Sequence, residues 1–303
     1  MASLDDTPAY EKYVAPKEVE KATQQVSSLE MQYSIPVSER FDILNDGDRR
    51  RVVTSLAVDA AGSRFAVGGT DTHLRMYDFA GMDQLRTGPF KTIEVEDGHL
   101  VVDVCYSNTG DRLVVATGSV QPKVLDRDGN EIIQFVRGDM YVTDQALTTG
   151  HTAAVTGVDW HPFERDIVLT SSTDHGSARI WSVNGKTQFH FLICDKVYRA
   201  TNAKGQKVGV TAFAFHPGGR ELVLGTACGS IQIWNATRVG ARRDRETFHS
   251  HGEGRPVNSL SYNVDGSQIA SRSVDMLKVW DAKRLSRSSS PLVACPGLPT
   301  VHE

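Results

Sequence analysis

The 303-residue sequence lacks the features that mark several classes of protein. It has no apolar run approaching the roughly 18 residues of a membrane span, and no apolar stretch follows a basic cap at its N-terminus, so neither a span nor a secretory signal is predicted. Its four cysteines include no C-x-x-C pair, which argues against a disulfide framework or structural zinc and favours a reducing compartment. The net charge of −4 provides no global positive field for nucleic acid or an anionic membrane.

One stretch of the chain, residues 150–181, contains a complete repeat unit. It opens with Gly-His, continues through short β-branched or alternating segments separated by turn residues, and ends on Trp181. Such segments predict strands of a twisted antiparallel sheet. Gly-His near the start and Trp near the end of a unit of about 40–45 residues is typical of a WD-repeat propeller blade.

Four further units align with this one at the end of their third predicted strand. The five unit ends are Tyr77, Leu125, Trp181, Trp234 and Trp280. Glycine recurs between the first and second predicted strands of four units, where a positive φ suits a hairpin turn. The extra length of the units predicts long loops at 80–91, 137–149, 196–207 and 239–255. The sequence therefore predicts an all-β WD-repeat β-propeller with about five recognisable blades.

The number of units is lower than the seven of a usual WD-repeat ring. Only 23 residues follow Trp280, whereas two more blades would need roughly 90. We therefore predict an incomplete seven-bladed ring; closure with five blades and completion by another chain stay open as alternatives. The predicted domains are a disordered N-terminal tail at 1–34, the propeller at 35–300 and a short tail at 301–303.

The third unit carries polar residues that are expected to link its strands. In well-formed WD repeats a His, a Ser or Thr, an Asp and the Trp form a buried hydrogen-bonded network, and we predict His151, Ser171, Asp174 and Trp181 for these places. The other units lack members of the set, and a partly satisfied network contributes little stability. Apolar packing should therefore dominate.

The sequence offers weak grounds for catalysis or metal binding. His151, Ser171 and Asp174 could be mistaken for a catalytic triad, but no nucleophile elbow accompanies them. His249 and His251 lie in a polar stretch without a carboxylate or Cys partner at ligand spacing. We predict no catalytic residues, no metal site and no cofactor.

The second unit resembles one family in particular. Residues 106–152 are similar to the corresponding segment of the WD repeat-containing protein 70 family, also described as gastrulation-defective-type WD-repeat proteins. The supporting segments are 35–38, 77–83, 229–234 and 297–300. The resemblance runs from about residue 35 to 300, and members of the family are longer at both ends.

This resemblance implies a nuclear protein without enzymatic activity that serves as a scaffold for protein–protein interactions. It implies a place in a cullin-4 ubiquitin-ligase, chromatin and DNA double-strand-break response assembly, and the alternative is a spliceosomal or RNA-processing component that contacts RNA. Expected partners are proteins, including the damaged-DNA-binding adaptor of cullin-4 ligases, and no membrane. Direct nucleic-acid binding is disfavoured, because the arginine-rich segment 239–255 has a net charge near +1 and only Phe248 for base stacking.

The first candidate partner-binding site is formed by Trp280, Asp281 and Lys283. It resembles the WDxR box by which some WD-repeat proteins dock on that adaptor. Lysine stands where the box has arginine, and lysine lacks the bidentate fork of a guanidinium. The alternative to a docking site is that Trp280 and Asp281 are simply the end of a strand, as in many WD repeats.

The second candidate comprises two charged turns on either side of the predicted strand 132–136. Its residues are Asp126, Arg127, Asp128, Arg137, Asp139 and Tyr141. Arginine and aromatic side chains are frequent hot spots of protein interfaces. The alternative is a salt-bridged hairpin that serves only the fold.

Overall fold

The structure, a computed structural model, describes residues 52–82, 88–142, 148–173, 176–237, 243–252, 254–287 and 289–296. All of them belong to one compact unit, Leu44–Glu303. The tails predicted at 1–34 and 301–303 lie outside the described residues, and so do residues 35–51.

The described residues form five sheets, each built on four consecutive antiparallel strands that we call a blade. Blade one comprises β1 (Val53–Val58), β2 (Arg64–Gly69), β3 (His73–Asp78) and β4 (Lys91–Glu94). Blade two comprises β5 (Val101–Tyr106), β6 (Arg112–Thr117), β7 (Lys123–Asp126) and β8 (Glu131–Phe135). Blade three comprises β9 (Val155–Trp160), β10 (Ile167–Ser172), β11 (Ser177–Ser182) and, after a short hairpin, β14 (Cys194–Arg199).

The last two blades follow the same order. Blade four comprises β15 (Val210–Phe215), β16 (Glu221–Thr226), β17 (Ile231–Asn235) and β18 (Arg243–Thr247). Blade five comprises β19 (Ser259–Tyr262), β20 (Gln268–Arg272), β21 (Met276–Asp281) and β22 (Val293–Pro296). The predicted all-β propeller with five blades is confirmed.

The short hairpin of blade three, β12 (Thr187–Gln188) and β13 (Phe191–Leu192), joins the sheet of blade two. Strand β13 pairs in parallel with β8, with Leu192 opposite Phe135. The outer edge of blade two is thereby covered, which removes a row of unpaired backbone groups. Blades two and three are consequently joined by backbone hydrogen bonds as well as by side-chain packing.

Apolar cores fill the space between successive blades. Each core combines one face of a blade with the facing side of the next, as where Phe135 of blade two stacks on Trp181 of blade three with 4.7 Å between ring centroids. The innermost strands contact one another in chain order; they are β1, β5, β9, β15 and β19. Blades two, three and four are therefore covered on both faces.

The end blades carry exposed apolar side chains on their outer faces. Ala57 packs against blade two, whereas its neighbours Leu56 and Val58 are exposed, because alternate residues of a strand point to opposite faces. Leu277 and Val293 are similarly exposed on blade five. Among the described strands, no contact comparable to those between neighbouring blades joins β19 to β1.

Two of the predicted loops are wrong in part. Residues 196–207 include the end of β14, and 239–255 include β18. Both are outer strands with mixed polar sequences, which give no clear hydrophobic alternation. The predicted loops at 80–91 and 137–149 fall almost entirely between strands, and each includes residues outside the described ranges.

A bulge in the innermost strand recurs in blades one to four and links neighbouring blades. The extra residue is a threonine in blades one, three and four. Thr54 donates to the carbonyl oxygen of Val101 in the next blade, and Thr211 donates likewise to Val257 at 2.6 Å. Each hydroxyl satisfies a backbone acceptor at a point where an extra residue interrupts the ladder.

Glycines at positive φ confirm the predicted turn chemistry, and two of them provide a matched test. Gly62 has a φ of 66° and Gly176 a φ of 70°. A Cβ on Gly62 would meet nothing within 4 Å, whereas one on Gly176 would lie 2.0 Å from the carbonyl oxygen of Val208.

We expect Gly62→Ala to lower the free energy of unfolding by about 1 kcal/mol, the cost of a left-handed conformation for alanine. Gly176→Ala should lower the free energy of unfolding by about 1–3 kcal/mol more than Gly62→Ala does, because the backbone at Val208 must move. Urea denaturation of the two variants measures the difference. Equal losses would contradict this account of the close approach.

Candidate functional site

A buried hydrogen-bonded network of His151, Thr170 and Trp181, which we call a staple, joins the strands of blade three. Nε2 of His151 lies 2.6 Å from Oγ1 of Thr170, and the indole N–H of Trp181 donates to the same oxygen at 2.8 Å. Burial, with a smaller effect of Arg179, holds the pKa of His151 well below its usual value. The imidazole is therefore neutral, and its Nε2 can accept the proton of the threonine hydroxyl while that oxygen accepts from the indole.

The hydroxyl of this staple belongs to Thr170, and the prediction of Ser171 is corrected. Successive side chains of a strand point to opposite faces, so Ser171 points away from Trp181 and its Oγ lies 2.7 Å from Oγ1 of Thr156. The sequence Thr-Ser-Ser offers three adjacent hydroxyls, and only the register of the strand selects one. Asp174, the fourth predicted member, lies outside the described residues.

Blade five contains a second staple that sequence reasoning missed. His251 Nε2 lies 2.8 Å from Oγ of Ser271, and the indole N–H of Trp280 donates to that oxygen at 2.8 Å. Burial, with a smaller effect of Lys278, lowers the pKa of His251 to about 4. The spacing between the histidine and the hydroxyl residue could have revealed this staple in the sequence. His251 precedes Ser271 by 20 residues, and His151 precedes Thr170 by 19.

This second staple changes the interpretation of Trp280, which was predicted to bind a partner. Its side chain is buried between blades four and five. Oδ1 of Asp281 accepts the backbone N–H of Lys283 at 2.9 Å and that of Arg284 at 3.3 Å. Trp280 and Asp281 therefore shape the strand end and its turn, and Lys283 is the predicted box residue whose side chain is exposed.

Blade four lacks the staple. Trp234 pairs with Leu222 across the sheet, as Trp181 pairs with Val168. In blade three the hydroxyl-bearing Thr170 is two residues after Val168, and the residue two after Leu222 is Leu224. Blade four therefore has a leucine where blade three has the hydroxyl. The buried indole N–H of Trp234 accordingly has no acceptor within the described part of the chain. Blade four thus lacks the network as expected, whereas blade five contains the same His–hydroxyl–Trp set as blade three.

The charged turn at 126–128 connects blade two to blade one. Arg64 donates to Oδ1 of Asp128 at 3.0 Å, and Arg127 donates to Oγ of Ser63 at 2.7 Å. Asp126 accepts the backbone N–H groups of its own turn at Asp128 and at residue 130. These contacts fit a hairpin that serves the fold, although Asp128 keeps 73% of its side chain exposed.

The second charged turn lies elsewhere. Arg137, Asp139 and Tyr141 follow the C-terminal end of β8, whereas the turn at 126–128 precedes its N-terminal end. A five-residue strand separates two such points by about 17 Å, so the structure does not bring the two turns together. All three residues are exposed, and Tyr141 is exposed by 93%.

Two carboxylates link the innermost strands of neighbouring blades. Asp103 accepts the hydroxyl of Ser55 in blade one and the backbone N–H of Val158 in blade three, both at 3.0 Å. Asp159 accepts its own neighbour's N–H and a backbone N–H from Phe215 in blade four. Burial raises the pKa of Asp103 and raises the pKa of Asp159 to about 6.

No group of three or more His, Cys, Asp or Glu side chains is placed to hold a metal ion among the described residues. The same residues include no helix of the length and apolarity needed to cross a membrane.

The sequence is similar to known proteins over most of its length. A family model for the WD domain, G-beta repeat, matches residues 144–182 and 198–235. WD repeat-containing protein 70 of Xenopus tropicalis is 32% identical over 249 residues, and that of Bos taurus is 34% identical over 256. The chain belongs to the WD repeat-containing protein 70 family. The Gastrulation defective protein 1 homolog of Drosophila melanogaster is 32% identical over 239 residues.

The match covers the two chains unequally. The match with the Xenopus tropicalis protein covers 82% of this chain but 38% of that protein. The corresponding shares are 83% of this chain and 37% of the Bos taurus protein, and 78% of this chain and 35% of the Drosophila melanogaster protein. The chain thus spans less than half the length of these relatives. Among solved structures, the β-propeller domain of Myceliophteria thermophila Cps50 (Swd1) matches with a TM-score of 0.57 and 15% identity, covering 80% of this chain and 70% of that one. That likeness shows the propeller fold.

We expect Thr170→Val to lower the free energy of unfolding by about 2–4 kcal/mol, because it leaves the indole N–H of Trp181 and Nε2 of His151 buried without a partner. Ser171→Ala is the control, with an expected loss of about 1 kcal/mol, since Thr156 is only half-buried. Chemical denaturation compares them. A loss for Ser171→Ala as large as that for Thr170→Val would restore the original assignment.

Asp159 should titrate near pH 6 in the folded protein, which carbon NMR of labelled aspartate carboxyls measures directly. Its folded pKa is raised from 3.8, so the folded state binds the extra proton between these values. The stability that this group contributes is therefore complete at low pH and is lost as the pH rises to about 6. Asp159→Asn identifies the resonance. A spectrum in which every carboxyl titrates near pH 4 would refute the effect of burial.

Proposed function

We propose that the chain acts as a nuclear, non-enzymatic scaffold in a cullin-4 ubiquitin-ligase assembly that serves chromatin and the response to DNA double-strand breaks. Membership of the WD repeat-containing protein 70 family is the observation that carries this proposal. WD-repeat propellers typically act as platforms for protein–protein interaction, and the five stacked blades present their connecting turns for that purpose.

In this proposal the adaptor of the ligase contacts the turn after β21. The side chain of Lys283 is exposed there, and Arg284 follows with 89% of its side chain exposed. Trp280 and Asp281 contribute indirectly by fixing the turn. The guanidinium of Arg284 supplies, one residue later, the planar donor that Lys283 lacks.

A second protein contact is proposed at Tyr141. This ring and the neighbouring Met140 are exposed by 93% and 64%. A large aromatic side chain next to Arg137 has the composition of an interface hot spot. The turn at 126–128 is a weaker candidate, because its charges are engaged with blade one.

The alternative is an RNA-processing component that contacts RNA through the segment 239–255. Its described arginines are engaged within the protein. Arg243 pairs with Glu246 at 2.7 Å, Arg245 pairs with Glu221 at 2.5 Å, and Arg255 pairs with Asp275. Cations already neutralised release few counterions from a phosphate backbone, so these pairs favour the scaffold.

Purification of the tagged chain from nuclear extract, with and without nuclease, tests the proposal. We expect recovery of the cullin-4 adaptor regardless of nuclease. Lys283→Glu should lower adaptor recovery several-fold, because an acidic side chain replaces an exposed cation, and Lys204→Glu in a distant exposed turn is the matched control. Tyr141→Ala should reduce recovery of other proteins. Nuclease-sensitive recovery of splicing factors without the adaptor would instead support the RNA alternative.

A further inference from the structure

A pocket of about 460 Å³ lies at the seam between blades four and five. We call it the seam pocket. It is formed by the first turns of three successive blades and by the turn after β21; the residues that matter here are Phe163, His216, Arg220, Gly266 and Lys283. None of the contacts described for the proposed scaffold uses Phe163, His216 or Arg220.

Gly266 lets the turn of blade five pack directly on His216 in the lining of the seam pocket. A Cβ on Gly266 would lie 2.2 Å from Nε2 of His216, so the turn of blade five can approach the imidazole only without a side chain. His216 is held from the other side by the ring of Tyr262, edge to face with 5.0 Å between centroids. The floor of the pocket is therefore backbone and a fixed imidazole ring.

The wall of the pocket is rigid. Arg245 donates to both carboxylate oxygens of Glu221 at 2.5 Å and to the carbonyl oxygen of Ala282 at 2.6 Å. This one guanidinium ties β18 to β16 and to the turn of blade five. A site fixed in this way loses little conformational entropy when a ligand binds.

The pocket carries positive charge that ion pairs within the described part of the chain do not neutralise. Its lining has three cations and one acid, a net charge of +2. Glu221 is engaged by Arg245, whereas Arg220 and Lys283 have no ion-pair partner in the described part of the chain. Asp265 directly precedes Gly266 in the turn of blade five, but it does not line the pocket.

An aromatic side chain stands beside these cations. Phe163 is exposed by 68%, although its backbone N–H is fixed to Nδ1 of His161. A large ring exposed at the rim of a concave, cationic pocket is a typical anchor for a protein ligand.

We propose that the seam pocket binds an extended acidic segment of a partner protein, with an apolar side chain packed on Phe163 and flanking carboxylates on Arg220 and Lys283. The carboxylates complement the unpaired cations. A protein segment is favoured over single-stranded RNA because the pocket has one accessible phenyl ring and two free cations, whereas RNA grooves combine several stacking rings with a continuous cationic track.

The test uses the purified chain and three fluorescent probes of equal length. The first is a ten-residue peptide with a central Leu-Phe pair flanked by Asp and Glu, the second is its uncharged isosteric analogue with Asn and Gln, and the third is an oligouridylate. Fluorescence anisotropy should show saturable, salt-sensitive binding of the acidic peptide alone. Arg220→Glu should weaken binding by about tenfold or more, Phe163→Ala by about fivefold, and Lys204→Glu should leave it unchanged.

The outcomes separate this proposal from the scaffold proposed above, beyond which it goes. No saturable binding of the acidic peptide, equal binding of the uncharged analogue, or equal effects of Arg220→Glu and Lys204→Glu would overturn it. Tighter, Arg220-dependent binding of the oligouridylate would assign the pocket to RNA. The adaptor is absent from these measurements, so failure to recover it from nuclear extract leaves the peptide result intact. Lys283→Glu is the second cation variant if Arg220→Glu does not fold.

Discussion

The whole arrangement depends on burying the faces of each four-stranded sheet against its neighbours, both faces in blades two to four and the inner face in the two end blades. In blade three, Trp181 faces the core shared with blade two, and Leu169 faces the core shared with blade four. Neither face can be exposed without a large loss of apolar burial, which is worth about 25 cal/mol for each Å². A blade therefore depends on packing against its neighbours, and the turns at its two ends are what remain for contact with other molecules.

Polar contacts align the blades that apolar burial brings together. Apolar packing is not directional, whereas a hydrogen bond requires a particular donor and acceptor geometry. The threonine hydroxyl at the bulge of one inner strand donates to the next strand, and Asp103 accepts donors from the blades on both of its sides. The ionised form of the Asp159 carboxyl is disfavoured in that role, because burial raises its pKa to about 6. The inner strands thus fix the angular placement of blades, and the staples order individual blades from within.

The sequence predicted the blades but not all of their details. Apolar periodicity, turn glycines and terminal aromatic residues repeat in each unit, so the fold class and the five blades followed directly. β18 was missed because an outer strand with alternating charges has no apolar stripe. Thr170 was missed in favour of Ser171 because neighbouring hydroxyls differ only in which face they occupy. Trp280 was assigned to a partner because its burial is decided by blade four, which is distant in sequence.

The residues most typical of the repeat are poor guides to its function, because the fold itself uses them. Trp280 and Asp281 belong to the recognisable signature, and the fold uses both: one as a donor to Ser271 and one as the acceptor that shapes a turn. Residues such as Phe163 and Arg220 belong to no signature and are free to contact other molecules. A repeat protein can keep its core pattern while its turns change, because the core needs only apolar side chains of suitable volume. Specificity in this chain is therefore expected at the seams between blades, where turns from several repeats meet.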